Sequence, residues 1–327
     1  MATPIIHRSA LRLIAASLVA TATAASAETI TISGRFPAQN REASYLQRLA
    51  IDRFAGRDGE PLANAIAAAL SRAENASGPH FTLLGDTGGR APRADGVLSG
   101  SATSDWEEHR VTLQRRRCIE RAAPKDGKKR RDDDEGECLK YADVPVPCMQ
   151  RTITLTASLR LVRIADGAIV YTASKPRNET VSWCPRDTLP RAAEMVIADM
   201  IDSVAGETRG DIAPHGDTYK VRYREDRAGL SKPLAARFKD VLRLSKSDSR
   251  GACEGWEAID RDQPGQLSIV FNRGLCAEQR GDYPVALTLY RQARGMKSAD
   301  DINTAIGRAQ ALIAGTEDEA RFRRRRG

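Results

Sequence analysis

The chain has 327 residues, of which 29% are charged and 41% hydrophobic, and its formal net charge is +8. This composition is typical of globular proteins and excludes collagen-like, coiled-coil and wholly disordered chains. The length suffices for two domains of roughly 150 residues each. Beyond the N-terminal segment, no apolar run approaches the ~18 residues that a membrane-spanning helix needs, which excludes a helical membrane protein.

Residues 1–27 have the anatomy of a secretory signal peptide. Arg8 and Arg12 form a basic start, the run Leu13–Ala24 is apolar or small, and Ala25–Ala27 is a small-x-small cleavage site. No cysteine follows the run, so lipoprotein processing is not predicted. We therefore expect export, most simply to a bacterial periplasm, of a chain without a transmembrane span.

An α/β domain with helices on a mixed sheet is predicted over residues 28–210. Thr29–Ile32, Leu49–Phe54 and Phe81–Leu84 are typical of strands. Between the last two, a helix opened by a proline carries an apolar stripe at helical spacing: Leu62, Ile66, Ala69, Leu70 and Ala73. A second helix is expected to begin near Asp187 or Thr188.

The clearest local signal is a β-hairpin between these helices. From Ile153 to Leu161 apolar residues alternate with polar ones, which is typical of a half-buried antiparallel strand. Ala165–Gly167 forms the turn, and the returning strand begins at Ala168. This register places Cys148 opposite Cys184, so the two are predicted to form a disulfide.

Six cysteines follow the signal peptide, and an even number in an oxidising compartment suggests three disulfides. With Cys148 and Cys184 paired, Cys118 and Cys138 are left to each other and would staple the loop 121–137. That loop holds six basic and six acidic residues and no large apolar one, so we interpret it as solvated.

The second half changes to a helical pattern. Residues 211–230 are polar and turn-rich and are interpreted as a linker with one strand. Residues 231–314 predict a tetratricopeptide-like helical domain, because small and aromatic residues recur at the offsets of that repeat: Asn272, Gly274, Gly281, Asp282, Tyr283, Ala286, Tyr290 and Ala293. An unrelated helical hairpin is the alternative. Residues 315–327 are interpreted as a basic tail.

Repeat geometry also predicts the third disulfide and a binding face. Cys253 and Cys276 fall on neighbouring helices of successive units and are predicted to pair. Phe271, Glu278 and Gln279 lie on the side of their helix turned away from the partner helix, so we expect them to bind a partner. The alternative, nearly balanced for Phe271, is packing within the core.

Part of the first half resembles the curli-assembly secretion-channel (CsgG-like) family. The resemblance spans about residues 45–205 and rests on five segments: Arg48–Phe54, the Leu62–Leu70 helix, Phe81–Leu84, Asp95–Gly100, and Leu159–Val162 with Asp166–Tyr171. It implies an α/β periplasmic domain. The family's channel members are lipoproteins whose pore strands carry a lipid-facing apolar face, whereas this chain lacks a lipobox cysteine and has Arg115–Arg117 there. We therefore do not predict that this chain forms a channel.

No catalytic constellation is found in the sequence. No His-x-x-x-His spacing suggests a zinc site, and the glycine-rich stretch Gly85–Arg90 lacks the Gly-Lys-Ser/Thr of a phosphate loop. Asp105, Glu107 and Glu108 are candidates for acid and base, although adjacent acids usually mark a polar strand end. We predict no enzymatic activity, no cofactor and no metal.

Two functions from different classes remain. The first is a non-enzymatic interaction or assembly protein of the cell envelope that binds a protein partner through its tetratricopeptide-like region. The alternative is a glycan- or peptidoglycan-binding domain, hydrolytic in one version, that uses the acids near Trp106 and the basic tail. Export disfavours nucleic acid, and the arginine-rich tail is a candidate contact for an anionic surface.

Overall fold

The computed structural model describes residues 28–75, 78–84, 94–122 and 137–326. The predicted signal peptide, the stretch Gly85–Arg90 and most of the loop 121–137 lie outside these residues. The strands are β1 (Thr29–Phe36), β2 (Arg48–Ile51), β3 (Glu74–Asn75), β4 (Gly78–Pro79), β5 (Thr82–Leu84), β6 (Gly96–Arg121), β7 (Cys138–Arg163), β8 (Ile169–Trp183) and β9 (His215–Arg222). The helices are α1 (Arg41–Ser44), α2 (Gly59–Ser71), α3 (Ala193–Ile212), α4 (Lys232–Leu244), α5 (Ser249–Asp262), α6 (Leu267–Gln279), α7 (Tyr283–Met296) and α8 (Asp300–Arg326).

The α/β half is built on a mixed five-stranded sheet in the order β5-β2-β6-β7-β8. β2 runs parallel to β5 and β6, and the other neighbours are antiparallel. Helices α2 and α3 cover one face with Leu62, Ile66 and Val204, which are fully buried. The predicted α/β architecture is thus present, followed by a helical region.

The predicted hairpin register is confirmed from Leu161 to Met149, although the register shifts next to the turn, between Leu161 and Val162, and β8 begins at Ile169. β7 pairs with β8 from Leu161 opposite Tyr171 to Met149 opposite Trp183, and the next two residues, Cys148 and Cys184, form a disulfide. Gly167 supplies the left-handed turn residue, with φ of 72°. The expected start of the following helix is wrong, because α3 begins only at Ala193.

β6 and β7 continue as a two-stranded extension beyond the end of β8. We call this extension the arm and define it as residues 110–121 of β6 with 138–149 of β7. A pair of strands buries little apolar surface, so on its own it is only marginally stable. The Cys148–Cys184 disulfide closes its base, and the predicted Cys118–Cys138 disulfide is present near its far end.

The helical half contains the two predicted antiparallel pairs, α4 with α5 and α6 with α7. A Cβ on Gly274 would lie 2.4 Å from the Tyr290 ring, so glycine lets α6 approach α7 closely. The predicted Cys253–Cys276 disulfide joins α5 to α6. All six cysteines are paired, as is typical of proteins from an oxidising compartment.

The N-terminal strand does not join the main sheet. β1 pairs antiparallel with β9 over eight residues, from Thr29 opposite Arg222 to Phe36 opposite His215. We call this pair the ribbon. The one strand expected in the linker 211–230 is present as β9, His215–Arg222, and its partner lies about 185 residues earlier in the chain.

The interpretation of residues 315–327 as a basic tail is corrected by α8, which continues to Arg326. Phe322 is 1% exposed and packs between Tyr45 and His80 of the α/β half, while Asp318 accepts a bidentate contact from Arg41. The closing helix therefore docks onto the first half. Among the described residues, no helix is both long and apolar enough to cross a membrane.

The docking of α8 predicts a large effect of one substitution. Phe322→Ala should lower the free energy of unfolding by about 3–5 kcal/mol, because it opens a cavity between Tyr45 and His80. Urea denaturation followed by circular dichroism measures this. Arg323→Ala, on the exposed side of the same turn, is the matched control and should change stability by less than about 0.5 kcal/mol. Equal effects of the two substitutions would contradict the docking.

Candidate functional site

The structure buries two of the three residues expected to bind a partner through the helical half. Phe271 is 1% exposed and Glu278 is 0% exposed, and Gln279 is half-buried. Phe271 packs against Tyr290 with ring centroids 5.4 Å apart. The expectation that these side chains face a partner is therefore corrected, since neither Phe271 nor Glu278 is accessible.

The ribbon explains this burial, because it lies across the face of α6. Gln279 donates its side-chain amide to the carbonyl of Thr31, 3.2 Å away. Asn272 forms two hydrogen bonds with the backbone of Arg224: its Oδ1 accepts from the Arg224 amide at 2.8 Å and its Nδ2 donates to the Arg224 carbonyl at 2.9 Å. The face predicted to hold a foreign segment thus holds a segment of the same chain.

The centre of this contact is the buried carboxylate of Glu278. Tyr219 of the ribbon donates to its Oε1 at 2.7 Å, and Tyr290 of α7 donates to its Oε2 at 2.5 Å. Arg308 of α8 forms a bidentate ion pair with it. Four elements therefore converge on a carboxylate whose oxygens are all hydrogen-bonded, which is the condition for burying a charge.

The same cluster perturbs the titration of its tyrosines. Burial, together with the hydrogen bond and negative charge of Glu278, raises the pKa of Tyr219 and of Tyr290 far above the ordinary value near 10. The phenols thus remain neutral donors throughout the physiological range. This cluster is structural, because it is sealed by the ribbon and its groups satisfy one another.

A second cluster lies at the surface, where the arm leaves the sheet. Arg151 of β7 stacks between two of the chain's three tryptophans, with its guanidinium 5.6 Å from the Trp106 ring centroid and 5.4 Å from that of Trp183. Arg151 also pairs with Glu108 at 2.6 Å and donates to the carbonyl of Arg191 at 2.7 Å. We call Trp106, Arg151 and Trp183 the arm-base cluster.

Strand alternation separates the three acids that the sequence suggested for acid and base roles. Glu108 lies on the same side of β6 as buried Ser104, whereas Asp105 and Glu107 point to the opposite, uncovered face. A pair of carboxylates working on one substrate must share a face. Glu108 therefore cannot pair with Asp105 or Glu107, which share the uncovered face.

A shallow cavity of about 400 Å³ opens beside the arm-base cluster. Its lining includes Arg110, Met149, Trp183 and Leu189, and Leu189 is 75% exposed. The Cys148–Cys184 disulfide forms part of the wall and fixes two of these residues, because Met149 and Trp183 are their immediate neighbours. The cavity thus combines apolar, aromatic and cationic groups on a covalently held frame.

The turn that follows this disulfide is conformationally unusual. Arg186 adopts a left-handed φ of 80°, the only described residue other than glycine with a positive φ. Asp187 holds the turn by accepting a hydrogen bond from the Cys184 amide at 2.9 Å. Strained backbone of this kind is often found at functional sites.

The remaining candidates do not form a site. Nε2 of His80 lies 3.0 Å from Ser44 Oγ, but both residues are 1% exposed and sit beneath Phe322. Among the described residues, no group of three His, Cys, Asp or Glu side chains could hold a metal ion. The arm-base cluster was missed from sequence because its members lie 45 and 32 positions apart, although the predicted hairpin register would have placed Arg151 near Trp183.

Comparisons with known proteins give little further guidance. No protein-family model matches the chain, and no curated protein matches it. Two solved structures of the PelC dodecamer from Paraburkholderia phytofirmans, one of them a point variant, are similar to it at 15% identity and a TM-score of 0.24. They cover 57% of this chain and 97% and 98% of the PelC chain. A TM-score this low supports no conclusion about function.

The tyrosines around Glu278 predict how stability depends on pH. Their pKa is raised by folding, so the folded state holds more protons than the unfolded state above about pH 10, and stability falls as pH rises. The fall approaches about 1.4 kcal/mol per pH unit for each such tyrosine. Tyr219→Phe with Tyr290→Phe should lower stability at pH 7 and make this alkaline fall less steep.

Urea titrations at pH 7, 9, 10 and 11 measure the effect. Tyr141→Phe, at an exposed arm residue, is the matched control and should leave both the stability at pH 7 and the alkaline slope unchanged. Identical slopes in the wild type and the double variant would show that these tyrosines are not protected by folding.

Proposed function

We propose that the chain is an exported, non-enzymatic interaction protein of the bacterial cell envelope, which binds a protein partner at the arm-base cluster. The observation that carries this proposal is the stack of exposed Trp106 with half-buried Arg151 and Trp183, beside the cavity lined by Leu189. This moves the contact surface from the helical half, whose predicted binding residues are buried, to the α/β half.

The composition of the cluster supports a protein contact. Tryptophan and arginine are the residues most enriched among those that dominate binding energy at protein interfaces. Trp106 is 42% exposed and Leu189 is 75% exposed, so a partner would remove considerable apolar surface from water. Arg151 is fixed by Glu108 and the Arg191 carbonyl, and such preorganisation reduces the entropic cost of binding.

The place of action is proposed from three features taken together. Residues 1–27 are typical of a signal peptide, all six cysteines form disulfides, and the first half resembles the curli-assembly family. A periplasmic location accounts for all three. In this proposal the tetratricopeptide-like helices stabilise the molecule by holding its own ribbon, and the α/β half provides the contact.

Glycan binding is the second candidate, and the same cavity favours it. Aromatic rings beside a few polar groups are the usual lining of small-ligand sites, and here Trp183 lies beside Arg110. Strand alternation places Glu108 on the other face of β6 from Asp105 and Glu107, so glycan binding is proposed here without assigning a hydrolytic pair of acids.

Site-specific photocrosslinking tests the proposed contact. With p-benzoylphenylalanine at position 189 in cells, we expect a discrete adduct to one envelope protein, and Trp106→Ala should weaken its formation about tenfold or more. The matched control places the same photocrosslinker at Ile164, which is 53% exposed at the opposite end of β7 and should give no such adduct. The proposed site would be contradicted if the adducts were equal at both positions or if Trp106→Ala left the adduct at position 189 unchanged.

A parallel assay separates the two candidate functions. Purified protein is mixed with isolated sacculi and sedimented. Binding that Trp106→Ala abolishes, in the absence of a protein adduct, would favour the glycan candidate over the protein partner.

A further inference from the structure

The far end of the arm exposes three large apolar side chains. Ile119 is 50% exposed, Leu139 is 60% exposed and Tyr141 is 55% exposed. Leu139 and Tyr141 are two residues apart on β7 and therefore lie on the same face. Ile119 sits at the irregularity where β6 shifts register between Cys118 and Glu120. We call these three residues the distal apolar group.

A covalent link holds the distal apolar group in place. Cys118 and Cys138 form a disulfide with their Cα atoms 5.8 Å apart, and Cys138 directly precedes Leu139. Exposed apolar side chains on a flexible hairpin would lose entropy when they bind. On a stapled hairpin, that cost is smaller.

Basic residues surround the distal apolar group. Five of them lie in the end part of the arm: Arg115, Arg116, Arg117, Arg121 and Lys140. The same part holds three acidic residues, Glu120, Glu137 and Asp143. The Arg116 guanidinium lies 5.4 Å from the Tyr141 ring centroid, so a cation is stacked directly on an exposed aromatic residue.

We propose that the end of the arm lies on an anionic lipid surface, with the face that carries Leu139 and Tyr141 in the headgroup region and with Arg116, which stacks on Tyr141, on lipid phosphates. Tyrosine suits this boundary because its ring is apolar and its hydroxyl is polar. Arginine and lysine suit it because their apolar stems pack against hydrocarbon while their charges stay with the headgroups. Binding of this kind grows with buried apolar area and with attraction to anionic lipid.

The shape and position of the arm favour a lipid surface over a protein groove. The end of the arm is a pair of strands that continues past the end of β8 and exposes Ile119, Leu139 and Tyr141. It lies eight residues beyond Arg110, roughly 26 Å along the strand, and is thus distinct from the arm-base cluster. The sequence predicts that the arginine-rich C-terminal residues contact an anionic surface. Those residues belong to α8, whose Phe322 is buried in the body, so we assign the anionic contact to the end of the arm instead.

Vesicle flotation tests the proposal with protein purified from the periplasm under oxidising conditions. We expect binding to phosphatidylcholine vesicles that contain 30% phosphatidylglycerol, weaker binding to pure phosphatidylcholine, and a several-fold decrease at high salt. Ile119→Ser, Leu139→Ser and Tyr141→Ser together should lower binding at least tenfold. Arg116→Gln with Arg117→Gln should lower it several-fold.

Two matched controls isolate the arm. Leu244→Ser, Val285→Ser and Met296→Ser together remove the same number of exposed apolar side chains from the helical half and should leave vesicle binding unchanged. Arg323→Gln with Arg324→Gln removes two charges from α8 and should also leave it unchanged. Loss of binding in either control, or equal binding to neutral and anionic vesicles, would overturn the proposal.

A fluorescent reporter in the arm tests lipid contact by a second measurement, independent of vesicle flotation. Tyr141→Trp places a fluorophore in the distal apolar group, and its emission should shift to the blue and be quenched by brominated lipid. An unchanged spectrum would overturn the proposal. The proposal would also be overturned if the protein did not bind vesicles and a photocrosslinker at position 139 formed an adduct with a protein. That result would identify a protein partner for the end of the arm. Failure of the adduct from position 189 would refute the proposed function without affecting this result.

Discussion

One buried carboxylate determines how the parts of this protein fit together. Glu278 accepts hydrogen bonds from the ribbon through Tyr219 and from α7 through Tyr290, and it forms an ion pair with Arg308 of α8. An unpaired charge could not remain in this interior, so the ribbon, α7 and α8 must all be in place before the carboxylate is satisfied. The cluster therefore couples the N-terminal strand to the helical half and to the closing helix.

The arm is stabilised in a different way from the interior around Glu278. Two strands bury little apolar surface, here a small cluster of Val146, Cys148 and Cys184, and disulfides at both ends of the arm add to its stability. The body is thus held by burial and the arm by covalent bonds. An arm held by disulfides can carry exposed isoleucine, leucine and tyrosine side chains without relying on them for its own stability, and this leaves them available for binding.

Local patterns predicted much of this structure, and long-range pairing supplied the rest. Alternation from Ile153 to Leu161 fixed the register that brings Cys148 to Cys184, and the repeat spacing predicted the bridge between Cys253 and Cys276. The ribbon was not predictable in this way, because no local signal in β1 identifies a partner in β9. Without the ribbon, helical spacing alone left Phe271 on an apparently open face, and only its apolar character indicated the core. The arm-base cluster needs β6, β7 and β8 in register, and local alternation predicted the register only of β7 with β8.

The path of the ribbon has a consequence for the order in which the chain can fold. β1 is the first described element, yet it pairs with β9 and packs against α8, where Gly34 approaches Leu312 and Gly315 approaches the backbone of Arg35. Contacts between such distant parts of a chain form slowly, because the conformational entropy of closing the intervening loop is lost before the contacts can stabilise the fold. β1 therefore completes its contacts only when α8, near the other end of the described chain, is also in place. In the export proposed above, this dependence delays the closure of β1 until α8 has also left the cytoplasm.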